Sequence, residues 1–112
     1  MAALVATTPT RAGTASPGAA VAASDTIAVA ILGSLGAILE ILNGNASPDS
    51  MTISDASTTP TGAAAAANAP SVTNATNKVF LVTPRMADPT TGLVTVTHSV
   101  TATVTYKLYP LG

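Results

Sequence analysis

The chain has 112 residues and a net charge of −1, and only 8% of its residues are Asp, Glu, Lys or Arg, against about 25% in a typical soluble protein. It contains 23 alanines and 19 threonines but no cysteine. This length suits one hydrophobic core, and the composition excludes a disordered charged tail. The charge balance also gives no basic surface for nucleic acid, and the absence of cysteine excludes disulfides, thiolate metal ligands and thiol nucleophiles.

Targeting and membrane signals are weak. The N-terminal residues lack the cationic and apolar regions of a secretory signal, so we expect none. The most apolar segment, 27–42, has 14 uncharged residues between Asp25 and Glu40, whereas a spanning helix needs about 20. We therefore expect neither a membrane-spanning segment nor a membrane partner.

Residues 1–24 are predicted to form an extended N-terminal arm. Prolines and glycines interrupt a run of Ala, Thr and Ser in which Arg11 is the only charge, and no hydrophobic period persists. Small side chains gain little from burial, so such an arm is ordered only against its own domain or against neighbouring chains. Residues 25–112 are predicted to form a single domain.

The first half of that domain predicts strands near 26–32 and 36–43. Its apolar residues also fit a helical period, but Gly33 and Gly36 would together cost about 2 kcal/mol in a helix interior, and glycine suits a turn between strands. Asn43-Gly44 predicts a second turn, because both residues tolerate positive φ.

The second half begins with a short alternating strand over 50–54. A long polar loop is predicted over 55–77, in which the alanines at 63–67 are long enough only for a marginal helical turn. A compact strand follows over 78–82.

The segment 94–108 alternates strictly, with Val, His, Ala, Tyr and Leu at even positions and mostly Thr at odd ones. It is longer than a usual strand of about 5–6 residues, so we expect a bend near 99–102. Six to eight short strands with turns predict an all-β protein, an antiparallel β-sandwich or small barrel with an extended N-terminal arm.

The order of these segments resembles that of small virion proteins of tailed bacteriophages. The resemblance covers about residues 25–110 and is carried by Asp-Thr-Ile at 25–27, Ala-Ile-Leu-Glu-Ile-Leu-Asn-Gly at 37–44, and the ending Gly-Leu-Val-Thr-Val-Thr at 92–97. It implies a β-sandwich of the capsid decoration or head-associated type. The loop over 55–77 and the arm fall outside the match.

The residues that carry chemistry are few. His98, the single histidine, lies on the apolar parity of its strand, and the carboxylates are scattered at 25, 40, 49, 55 and 88. A catalytic or metal-binding role would need a nucleophile or further ligands near it. We therefore expect no enzyme, metal or cofactor, and a hydrogen-bonded or interface-facing His98 near a strand end.

The same residues suggest candidate interface contacts, since each charge on so neutral a surface contributes orientation. Glu40 must point away from its apolar neighbours in a strand, and Arg85 lies in a loop beside Met86, where it is either a solvated charge or a docking contact. The candidate interface residues are Arg11, Glu40, Arg85, Met86 and His98.

Together with the resemblance, these features predict a structural virion protein that binds and stabilises the assembled capsid. It would be made in the host cytoplasm and lie on the capsid surface, with the major capsid protein as partner and self-association, preferably as a homotrimer. The alternative is a tail, fibre or cell-surface β-domain that binds carbohydrate, although three aromatic residues offer little for a sugar platform.

Overall fold

The computed structural model describes residues 2–58, 60–65 and 68–112. These residues form ten strands, one four-residue helix and one 3-10 helix. The elements are β1 (Ala2–Ala3), β2 (Ala19–Ala20), β3 (Ser24–Ala28), α1 (Val29–Leu32), β4 (Ala37–Asn43), β5 (Asp49–Ser50), β6 (Thr52–Ile53), β7 (Ser71–Val72), β8 (Thr76–Val82), the 3-10 helix (Pro84–Met86), β9 (Leu93–Thr97) and β10 (Val104–Pro110).

Two four-stranded sheets and one two-stranded sheet make up the fold. Sheet A has the order β1-β3-β9-β6, sheet B has the order β2-β10-β4-β8, and β5 pairs with β7. All pairs are antiparallel except β1 with β3. This confirms the predicted all-β, sandwich-like class. In the described part of the chain both larger sheets are open, so the small-barrel alternative is wrong.

Alternation along the strands builds the core between sheets A and B. On β4 every second residue from Ala37 to Asn43 is buried, and β9 and β10 follow the same pattern. Such a period of two places apolar side chains on one face of a strand. The fully buried large side chains are Ile27, Leu32, Leu39, Ile41, Met51, Ile53, Leu108, Val72, Val82, Val94, Val96 and Val104.

The predicted strand over 26–32 is wrong in its second half, where α1 replaces it. β3 ends at Ala28, and a helical turn closed by the Gly33 N–H on the Val29 carbonyl (3.2 Å) places Leu32 in the core. The turn at the glycines is confirmed. Gly36 has φ +92°, and a β-carbon there would lie 2.3 Å from the Val82 carbonyl oxygen, so only glycine fits.

The segment 50–54 is two short strands rather than one. Met51 separates β5 from β6, and its N–H donates to the Pro70 carbonyl at 2.9 Å. The predicted loop is also shorter than expected, because β7 and the first residues of β8 lie within 55–77. The alanine run at 63–67 lies partly outside the described residues.

The N-terminal arm is more structured than predicted. β1 extends sheet A and β2 extends sheet B, while Leu4 and Val21 are buried in the common core. Between them, the Val5 N–H donates to the Tyr106 hydroxyl (3.0 Å) and the Thr7 N–H to the Leu108 carbonyl (2.7 Å). The arm therefore lies on its own domain.

The predicted bend after β9 is confirmed. β9 ends at Thr97, β10 begins at Val104, and the intervening residues leave the sheet. His98 is the first residue of this connection, and Thr103 closes it with a positive φ of 58° and a carbonyl that accepts from the Gly44 N–H at 2.9 Å. This connection carries His98, whose side chain makes a buried hydrogen bond with Asp49.

Candidate functional site

A buried pair of His98 and Asp49 joins the β9–β10 connection to β5. The His98 Nδ1 lies 2.7 Å from Asp49 Oδ2, and the side chains are 1% and 0% exposed. The other carboxylate oxygen of Asp49 accepts from the Ser99 N–H at 2.9 Å, with a longer contact of 3.5 Å to the Val100 N–H. One carboxylate thus fixes both the imidazole and the start of the connection.

The distance between His98 and Asp49 is that of a catalytic base and the acid that orients it. The surroundings of the pair, however, indicate a structural role. His98 Nε2 is buried and has no hydrogen-bond partner among the described residues, so no hydroxyl nucleophile contacts it there. Asp25, also buried, accepts from the Ala22 N–H (3.0 Å) through one oxygen, and its other oxygen has no such partner. Within residues 2–58, 60–65 and 68–112, no group of three or more metal-ligating side chains is present.

The outer face of sheet B, which points away from the core, carries exposed apolar side chains on ordered strands. Three rows of side chains cross it, as the registers of β8, β4 and β10 require. The rows are Leu81–Ile38–Tyr109, Val79–Glu40–Lys107 and Asn77–Leu42–Thr105.

The exposed large apolar side chains of this region lie on β8 and beyond one end of the sheet. Val79 and Leu81 are 59% and 60% exposed, and beyond them Leu35 and Leu111 are 62% and 42% exposed. The Leu111 N–H donates to the Gly36 carbonyl (3.0 Å), which brings the chain's end to the turn that carries Leu35. The residues of this apolar end are Leu35, Ile38, Leu81, Tyr109 and Leu111.

The apolar end and its neighbour Val79 expose several large apolar side chains. Leu35, Val79, Leu81 and Leu111 are between 42% and 62% exposed, and grouped exposed apolar side chains on a soluble protein mark candidate interaction sites. Its one carboxylate neighbour, Glu40, accepts from the Asn77 side-chain amide at 2.7 Å. The face can therefore bind a partner by apolar contact, with few charges to desolvate.

Arg85 lies between two open clefts at the 3-10 helix. One cleft, of about 480 Å³, is also lined by Asp55 and Met86, and the other, of about 350 Å³, by Val29 and Asp88. The Arg85 side chain is exposed and makes no hydrogen bond or ion pair with another described residue. It is therefore available to a partner carboxylate or carbonyl.

The five candidate interface residues do not form one site. Arg11 is exposed in the arm, Glu40 is half-buried on the outer face of sheet B, and Arg85 and Met86 share the 3-10 helix. The His98 side chain is almost fully buried, because Asp49 and the β9–β10 connection enclose it, and it offers a partner no appreciable surface. No hydrogen bond or ion pair among the described residues joins any two of the five.

Sequence reasoning missed two features, the Asp49–His98 pair and the apolar outer face. The pair joins residues 49 positions apart, and no local pattern reports such a contact. The outer face did leave a signal. The unbroken apolar run at 79–82 and the pattern Ile-Leu-Glu-Ile-Leu at 38–42 place apolar side chains on both faces of their strands.

Comparison with protein-family models, with curated proteins and with solved structures found no match for this chain. Among the described residues, the helices are all too short to cross a membrane. The structure defines the class of this chain as an all-β, sandwich-like domain. The features that bear on its function are its surfaces.

Proposed function

We propose that this chain is a structural virion protein of a tailed bacteriophage that binds the assembled capsid and reinforces it, with the major capsid protein as its partner. The observation that carries the proposal is the apolar end of sheet B, where Leu35, Leu81 and Leu111 are exposed. Ile38, Leu81 and Tyr109 of this surface lie on strands, which keep their shape, so little conformational entropy is lost there on docking.

The charge distribution supports a broad, neutral contact. Nine charged residues are spread over 112 positions, and the three rows on the outer face of sheet B contain one acidic and one basic residue among Thr, Asn and apolar or aromatic side chains. Glu40 and Lys107 lie side by side in the central row and can orient the contact without adding net charge. On a shell that repeats its subunits, many weak contacts of this kind reinforce one another.

The arm contributes to the proposal through the structure of its own domain. Its two ends belong to the sheets of its own domain, so it stiffens the protein on which the docking surface is built. Arg11 and Arg85, which lie outside the apolar end, remain candidate contacts with the capsid. Self-association is part of the proposal.

Co-sedimentation with empty capsids tests this proposal. The capsids are assembled from the major capsid protein encoded in the same genome, and the double variant Leu35→Asp, Leu111→Asp is compared with the unmodified chain. Both side chains are exposed, so folding should be preserved, while a charge in the apolar contact should weaken capsid binding at least about tenfold.

Val5→Asp is the matched control, because Val5 is an apolar residue that is 72% exposed but lies in the arm. It should bind capsids like the unmodified chain. Equal binding by the double variant and the control would contradict the role of the apolar end. A genome without a major capsid protein, or specific binding to a glycan array without binding to capsids, would contradict the proposed function and favour the adhesive alternative.

A further inference from the structure

We propose that β8 is a self-pairing edge, through which two copies of this chain form a two-fold dimer with one continuous eight-stranded sheet. The pairing specifies the self-association of the proposed function as a two-fold dimer, in place of the homotrimer preferred from the sequence. It rests on the proposed function only in that respect. It is tested on the isolated protein, without capsids.

β8 is the unprotected edge of the fold. The other edge strands of sheets A and B, namely β1, β6 and β2, are two residues long, whereas β8 has seven residues. Proteins usually protect long edges with proline, bulges or several charges. β8 contains no proline or glycine and one charge, Lys78, whose ammonium group donates to the Ser71 carbonyl at 2.8 Å.

The register identifies which backbone groups of β8 are free. Beyond the two ends of the β4–β10 pair, the Gly44 N–H bonds the Thr103 carbonyl and the Leu111 N–H bonds the Gly36 carbonyl. Even-numbered residues of β4 therefore bond β10, and the odd-numbered ones bond β8. In the β4–β8 pair, the even-numbered residues of β8 make the backbone hydrogen bonds to β4. The odd-numbered residues Asn77, Val79 and Leu81 therefore direct their N–H and C=O groups away from the sheet.

These groups require a strand as their occupant, because only an extended backbone matches their spacing. In the part of the chain that the structure describes, no backbone hydrogen bond from another segment reaches them. A second β8 satisfies all of them in one antiparallel register. In that register Val79 faces Val79 of the second copy, and Asn77 and Leu81 face each other twice.

The neighbouring registers of the two β8 strands are less favourable than this one. A shift toward the start of β8 places the two Lys78 side chains directly opposite each other, which is destabilising. A shift toward its end requires Thr83, whose N–H is turned toward the Met86 sulfur at 3.4 Å as the 3-10 helix begins. In the favoured register Lys78 lies opposite Phe80, so no like charges face each other.

The size of the contact predicts a modest affinity. Pairing along a seven-residue edge buries about 500 Å² per copy, or about 1,000 Å² in total, near the lower limit for a specific interface. The two-fold axis is perpendicular to the sheet, so the outer faces of both copies lie on the same side. The dimer thus doubles the apolar surface proposed to face the shell.

Cysteine cross-linking tests the register, and the absence of native cysteine makes the result unambiguous. Directly opposed residues in a hydrogen-bonded antiparallel pair have α-carbons about 5.5 Å apart, within disulfide range. Val79→Cys should therefore form a cross-linked dimer under mild oxidation. The two copies of Leu81 lie about 14 Å apart along the strand, so Leu81→Cys alone should cross-link at least about tenfold less.

The mixture of Asn77→Cys with Leu81→Cys is the positive control, because these residues face each other in the proposed register. Sedimentation velocity of the unmodified chain should show a concentration-dependent monomer–dimer equilibrium. Val79→Lys should be monomeric, Val79→Glu likewise, and their mixture should dimerise again. A monomer at every concentration, a trimer, or equal cross-linking by all the variants would overturn the self-pairing. Capsid binding by a strictly monomeric chain would leave the proposed function standing.

Discussion

Replacing Asp49 by alanine is expected to lower the free energy of unfolding by about 3 kcal/mol, because removing one partner from buried hydrogen bonds leaves the other polar groups unsatisfied. Asp49 is fully buried and holds both the His98 imidazole and the Ser99 N–H. Without it, neither ring nitrogen of His98 keeps a partner among the described residues. For a domain of this size, the melting temperature should fall by roughly 10–15 °C.

Thermal unfolding followed by circular dichroism measures this effect. Asp49→Asn keeps the shape and one acceptor oxygen, so it should recover part of the loss. Asp88→Ala is the matched control, since Asp88 is exposed and its side chain accepts a local bond from the Thr90 N–H at 2.8 Å. Its cost should stay within about 1 kcal/mol. Equal shifts for the variants Asp49→Ala and Asp88→Ala would contradict the role given to the buried pair.

Removing the N-terminal arm should be more damaging still. Deletion of residues 1–23 exposes the core where Leu4 and Val21 lie, and removes both edge strands β1 and β2. The burial of these two side chains alone is worth about 3–5 kcal/mol, and whole domains are stable by about 5–15 kcal/mol. We expect a truncated chain that is marginally folded and aggregates on mild heating.

Two point variants isolate the cause. Leu4→Ala leaves the arm in place but creates a cavity, so it should cost about 2–3 kcal/mol by chemical denaturation. The neighbouring Val5 is 72% exposed, and Val5→Ala should change stability by less than about 0.5 kcal/mol. If both variants unfold at the same denaturant concentration, the arm is not part of the core. Loss of capsid binding after arm deletion would reflect this instability, which is why the docking test uses point variants.

The sequence predicted those parts of the fold that depend on local pattern. Period-two alternation identified β4, β9 and β10, and the glycines at 33 and 36 identified the turn before β4. The helical turn at 29–32 was missed because Gly33 and Gly36 argue against a helix that runs through them, whereas α1 ends at Leu32, before the first of these glycines. A single turn of this length leaves no periodic signal in the sequence, and it places Leu32 in the core.

Contacts between distant segments were beyond sequence reasoning. The strands of the arm contain only alanine, and their pairing with β3 and β10 follows from the position of Leu4 and Val21 in a core that the arm helps to close. The candidate interface residues were chosen for charge, whereas the apolar end depends on which strands are neighbours. The unbroken apolar run at 79–82 was the available signal, but without the strand order it predicts a buried strand equally well.

We propose that the outer face of sheet B attaches this chain to a capsid, and a cryo-electron microscopy reconstruction of the virion is the decisive test. The two-sheet shape of the domain can be oriented in the density. We expect the domain on the outer surface of the shell, with Leu35, Leu81 and Leu111 against the major capsid protein. Absence of the chain from the virion, or a bound domain whose outer face of sheet B points to solvent, would contradict it.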